Sequence, residues 1–223
     1  IASCLVGSEM CIRDRSKYTF LTGAPGSRWS GVAQLITDNF NYDKSDESSA
    51  RQYVHGEFTG HKGSYFGPGM ELGEDFHRLE QSYANRLRFQ AMCDSAFHNP
   101  QSLQTKMIKC HQFAYGLDWL KKNVPNSNIL LVKRPTEASF DWWKEAGGWN
   151  ITYPNYEWYT DDAHMRHYID TEIKLADMFV EKTKNSWSHI TEEWLTENFG
   201  THSITVPNDK YHDTEVCLIT TDF

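Results

Sequence analysis

Several features that would direct a chain out of the cell or onto nucleic acid are missing here. The 5 cysteines (Cys4, Cys11, Cys93, Cys110 and Cys217) are odd in number and widely spaced, with no Cys-x-x-Cys pair. That argues against a disulfide framework and a zinc knuckle, and a reducing cytoplasm is the expected compartment. No apolar run approaches the roughly 18 residues of a membrane span, and Ile1 to Gly7 is followed too soon by Glu9 to act as a signal core. No membrane partner is expected. Cations are scarce too: 22 Lys and Arg face 30 Asp and Glu, a formal charge of -8. Nucleic acid is therefore not an expected partner, and any anion site must be local.

What is abundant is core material. Hydrophobic residues make up 39% of 223, with 8 Trp, 11 Tyr and 12 Phe, enough for one well-buried core. The chain begins without Met, and residues 1 to 15, with Cys4 to Arg15 reading CLVGSEMCIRDR, resemble translated sequencing-adapter read-through. They are set outside the fold, which makes 16–223 a single domain.

Periodicity organises that domain. Tyr18 to Thr22 reads as a strand ending in Gly23, and Trp29 to Phe40 places Val32, Leu35, Ile36 and Phe40 at helical spacing. Asn41 to Arg51 turns polar and reads as a loop, continued by the Gly-rich stretch Gly56 to Gly73. A helix is expected from Glu74 to Phe97. Strands at Lys106–Cys110 and Asn128–Lys133 then alternate with helices at Phe113–Asn123 and Thr136–Ala146, with Thr136 placed as the cap of the latter. Such alternation predicts an α/β fold: three αβα layers around a central, mainly parallel sheet. After an aromatic, turn-rich segment from Gly147 to Tyr159 comes an amphipathic helix, Asp161 to Lys184. It is capped by Thr160-Asp161-Asp162 and aligns Met165, Ile169, Ile173 and Ala176. A helix at Ile190–Phe199 and a strand at Val216–Thr220 complete the pattern.

Ligands of such sheets bind beyond the carboxyl ends of the strands, so loops leaving Thr22, Cys110 and Lys133 should share one crevice. The first loop has small residues at Gly23, Ala24 and Gly26 and opens a helix, a setting in which backbone amides can cradle an anion. Ser27 and Ser30 offer hydroxyls and Arg28 a charged fork. The Gly-Lys-Ser/Thr of a Walker A loop is absent, and an ordinary strand-to-helix turn is the alternative reading. His111 follows the second strand and is either a general base or a satisfied core histidine. Lys133 and Arg134, delivered by the third strand, suit a phosphate, or form a solvated turn with Glu137 pairing locally. The aromatic run Trp142 to Tyr159 is an acceptor platform or simply core. His55, Glu57 and His61 match no metal template, and no metal is assigned.

Taken in order, these elements resemble the sulfotransferase family. The matching features are a strand, a Gly-Ala-Pro-x-Ser loop, Lys109-x-His111 at a later strand end, and Pro125 ahead of Ile129-Leu-Leu-Val-Lys-Arg-Pro135. The loop Gly23 to Ser30 and the string Glu145 to Tyr156 are similar to sulfotransferase-like proteins of marine cyanophages. The resemblance implies a P-loop-NTPase-like sulfotransferase fold and sulfuryl transfer from 3′-phosphoadenosine 5′-phosphosulfate to a hydroxyl on a small-molecule or carbohydrate acceptor, without a metal. The cytoplasm expected above would be the host's if the chain is phage-encoded. Gly23, Gly26, Ser27, Arg28, Trp29 and Ser30 would line the donor's 5′ site, and Lys133 or Arg134 with Ser139 would hold its 3′-phosphate. His111 would be the base and Arg28 would stabilise the transferring group. The chain departs from the pattern in having Gly26 where the family has a cation, which here follows as Arg28. It also compresses Arg-x-Pro to Arg134-Pro135 and has Asp141 or Trp142 at the family's usual serine spacing. An ATP-dependent phosphotransferase and a non-catalytic binding module of the same fold are the alternatives.

Overall fold

The computed structural model describes residues 16–55, 58–67, 70, 76, 85–99, 102–151, 160–200 and 204–221. It shows an α/β fold with a mixed, mostly parallel central sheet and, among the described residues, seven α-helices. The strands are β1 (Tyr18–Gly23), β2 (Tyr42–Asp43), β3 (Gln52–His55), β4 (Phe58–Lys62), β5 (Thr105–Lys109), β6 (Ser127–Lys133), β7 (Ser188–His189) and β8 (Glu215–Thr221). The helices are α1 (Trp29–Asn39), α2 (Asn85–Ser95), α3 (Leu117–Asn123), α4 (Thr136–Glu145), α5 (Asp162–Lys182), α6 (Glu192–Phe199) and α7 (Asn208–Tyr211).

The sheet order is β2-β5-β1-β6-β8-β7, with β2, β5, β1 and β6 parallel and β8 antiparallel to β6. Strands buried on both faces lose their polar alternation and become apolar throughout. Accordingly, every residue of β1 is buried. In β6, Ile129 and Leu131 enter one core with Phe20, Phe113 and Leu120, while Leu130 and Val132 enter another with Val32 and Ile36. The period of 2 thus assigns α3 and α5 to one face and α1 and α6 to the other. Each such Leu contributes about 1.5–3 kcal/mol by burial.

Predicted and observed elements agree along the sheet's centre and diverge at its margins. The polar stretch after Asn41 is more than loop: it contains edge strand β2, a 3-10 turn at Ser49–Arg51 and the two-stranded sheet β3-β4. A two-residue strand is too short to show a period. The helix expected over 74–97 is seen as α2, and most of its first half lies outside the described residues. His111–Gly116 forms a 3-10 turn before α3. Thr136 does not cap α4: it is the first helical residue, behind Pro135, and its hydroxyl donates to Asp170. Pro favours a helix start because it has no N–H to leave unpaired. Asp161 does cap α5, accepting from the His164 amide at 2.9 Å. On α5 Met165, Ile169 and Ala176 are buried as expected and Ile173 packs partly buried against the Met165–Ile169 cluster, while Glu172 is buried as well, which the pattern had not pointed to. Strand β7 and helix α7 were unanticipated. The adapter-like residues 1–15, Glu57 and 152–159 of the aromatic segment lie outside the described residues. None of the described helices is long and apolar enough to cross a membrane.

Candidate functional site

β1 leaves the sheet toward α1 on one face, whereas its neighbour β5 leaves toward α3 on the other. Adjacent strands whose connections diverge open a crevice at their carboxyl ends. Two hydrogen bonds tie the strand ends together: Thr22 Oγ1 donates to the His111 carbonyl at 2.9 Å, and the Cys110 amide to Leu21 O at 3.1 Å.

The loop from Gly23 to Arg28 is held in an unusual backbone shape. Gly26 has φ 76°, and a Cβ there would fall 1.8 Å from the Ser139 carbonyl oxygen, so glycine is required both for conformation and for contact with α4. Arg28 also adopts a left-handed conformation, φ 64°, at the start of α1. For a residue other than glycine this costs about 1 kcal/mol. No side chain caps α1, so its first turn keeps the donors and partial positive charge that favour an anion. Around that turn lie polar atoms with nothing to bond. Ser27 Oγ and Ser139 Oγ are buried without partners, as is Arg28 Nε. The Arg28 guanidinium sits over the Trp142 ring at 4.7 Å. Burial, and next the charge of Arg134, lower its pKa from the usual arginine range. Trp29 is buried against Tyr65 and His61, and Ser30 hydrogen-bonds Tyr65. Both therefore support the loop's far side.

The other predicted cations are already neutralised. Lys133 Nζ lies 2.7 Å from Asp177 and 3.6 Å from Glu215, over the Trp187 ring. Arg134 grips Asp213 through Nε at 2.8 Å and Nη2 at 2.5 Å. Its Nη1 donates to Gly26 O at 3.2 Å and Ala138 O at 3.3 Å. Adjacent residues leaving a strand point to opposite faces, so the two do not converge on one phosphate. Arg134 fastens the loop to the segment before β8, and Ser139 belongs beneath the loop rather than beside Lys133. Glu137 pairs not within this turn but with Arg166 of α5, whose Nε donates to it at 3.1 Å.

His111 is buried, and its Nδ1 lies 2.7 Å from Tyr168 Oη and 3.0 Å from Glu172 Oε1. The Tyr168 hydroxyl donates its single proton to the same Glu172 oxygen. With an ionised Glu172, the Nδ1 proton must then belong to His111, which leaves Nε2 as the basic nitrogen. Burial raises the Glu172 carboxyl pKa, and the His111 charge opposes that shift. Sequence reasoning missed Tyr168 and Glu172. The available signal was a carboxylate within the apolar stripe of α5, four residues after a tyrosine.

Beyond His111, a groove of about 640 Å³ is lined by Tyr115, Leu117, Trp119, Leu175, Met178 and Phe179 among others. Tyr115 stacks on Tyr168 at 6.2 Å, which links groove and imidazole. The described residues include Lys109 at the same strand end, buried with Asp46 at 3.5 Å and donating to Lys62 O at 2.9 Å.

No family model, curated protein or solved structure matches the chain.

Proposed function

We propose that this chain is a sulfotransferase-like enzyme, transferring a sulfuryl group from 3′-phosphoadenosine 5′-phosphosulfate to a hydroxyl acceptor in the cytoplasm. The observation that carries the reading is an anion cradle and an oriented imidazole on neighbouring strands of one sheet end. Ser27, Ser139 and Arg28 there have unspent hydrogen-bonding atoms, and His111 is held at Nδ1. The strand order around β1 is also the kind a P-loop-like fold uses.

The 5′ end of the donor fits these residues. Gly26 makes room, Ser27 and the first amides of α1 donate, and Arg28 supplies charge. The 3′ end does not fit as the resemblance implied, because Lys133 and Arg134 are both committed to carboxylates. In transfer, His111 Nε2 takes the proton of the acceptor hydroxyl while that oxygen bonds to sulfur. The bond from sulfur to the bridging oxygen breaks, and the departing phosphate keeps the electron pair, facing Arg28. Glu172 stabilises the imidazolium that results. The groove beside Tyr115 offers apolar and aromatic walls to an acceptor.

Release of 3′-phosphoadenosine 5′-phosphate from the donor across a panel of hydroxyl acceptors tests this. Turnover lost by at least a hundredfold in H111A, with nucleotide binding retained, is the expected outcome. Equal turnover in H111A and wild type would remove the base. Absence of nucleotide binding by the wild type would remove the donor.

A further inference from the structure

Helix α7, four residues long and unforeseen from the sequence, packs its last turn against the first turn of α1. A Cβ placed on Gly31 would lie 2.9 Å from the Tyr211 hydroxyl and 3.7 Å from Lys210 Nζ. Tyr211 is 4% exposed, and its hydroxyl, aimed at that turn, has no hydrogen bond among the described residues. Lys210 forms no ion pair among them either, and its ammonium stands near the Tyr211 ring at 5.3 Å. Its pKa is lowered from the usual lysine range, first by partial desolvation and then by the charge of Arg28. Asp213 is taken twice by Arg134; it and Glu145 act on Arg28, and Asp209 acts on Lys210, only through space.

Two cations that act on each other through space beside a helix N-terminus, with the buried Ser27 hydroxyl and the hydroxyl of buried Tyr211 nearby and no carboxylate bonded to either cation among the described residues, repel one another. They are relieved by a multiply charged anion. We propose that Lys210 and Tyr211 complete the anion site of the β1–α1 loop, holding a phosphate or phosphosulfate group between α1 and α7. Arg134 is then a positioning residue: by binding both Gly26 O and Asp213 it sets α7 at the correct distance from the loop. This inference rests on the anion-site reading above, but not on the identity of the donor.

Calorimetric titration of the full chain with inorganic pyrophosphate and with 3′-phosphoadenosine 5′-phosphate separates the two. Wild type is expected to bind both, and K210A to bind both on the order of tenfold more weakly, the value of one charge-assisted contact. K210R should retain most of the affinity, and Y211F should lose several-fold. Unchanged affinity for both ligands in K210A and Y211F would overturn the inference and leave the donor reading standing. Lys210-dependent binding of pyrophosphate without any heat from the nucleotide would support the inference and overturn the donor. No heat from either ligand at millimolar concentration would overturn both. Lys210 is exposed, so K210A should fold; matching far-ultraviolet spectra and melting midpoints would confirm it.

Discussion

Two sets of cations meet at the same end of the sheet. Lys109, Lys133 and Arg134, all delivered by strands, each have a carboxylate partner in Asp46, Asp177 and Asp213 respectively. Arg28 and Lys210, delivered by a loop and a short helix, have none among the described residues. Positive charge at a strand end is therefore a poor guide to an anion site, because these strand-end side chains are buried or mostly buried and folding itself demands their neutralisation. The residues left uncompensated are the ones available to a ligand.

The comparison is broken most severely by removing a member of the paired set. R134A should cost roughly 2–4 kcal/mol, since it strands Asp213 and frees the Gly26 carbonyl, seen as a lower urea midpoint. R28G should show the reverse balance. Relief of the left-handed strain makes stability equal or higher by up to about 1 kcal/mol, while anion binding falls. G26A should cost roughly 2–4 kcal/mol, combining positive φ with a clash against Ser139. Its partner prediction is that thermal stability and binding fall together.

Smaller effects are pH-dependent. Asp213 has its carboxyl pKa lowered, first by the hydrogen bond from Arg134. The stability it contributes is present above the ordinary aspartate range and is lost as pH falls through its depressed value. D213N should therefore be less stable than wild type at neutral pH, with the gap closing in acid. Glu172 runs the other way. With its pKa raised by burial, the folded state holds a proton that the unfolded state has released, so stability declines as pH rises from the ordinary glutamate range through the raised value. E172Q should flatten that decline, measured as the unfolding midpoint against pH.

Much of the fold was legible because its signals are local and repetitive. The all-buried run of β1, the buried Ile129–Val132 run of β6 and the stripe of α5 carry enough residues to show their periods. The candidate site was pointed to by its loop and by His111, where small residues and a strand end mark the place. Its partners were not. Whether Lys133 or Lys210 is free depends on Asp177, which lies 44 positions along the chain from Lys133, and on what Arg134 takes from Asp213. No spacing rule records such a contact. Lys210 and Tyr211 sit on a helix of one turn, too short to announce itself. Glu172 was hidden by its stripe, which reads as packing until the carboxylate is seen to face His111.

The central claim is that uncompensated charge, rather than strand-end charge, marks the anion site. The most direct measurement is the affinity of 3′-phosphoadenosine 5′-phosphate for wild type, R28A and K133A, by calorimetry at one salt concentration. The account predicts binding weakened on the order of tenfold or more in R28A and unchanged within about twofold in K133A. Loss of binding in K133A with R28A unaffected would contradict it.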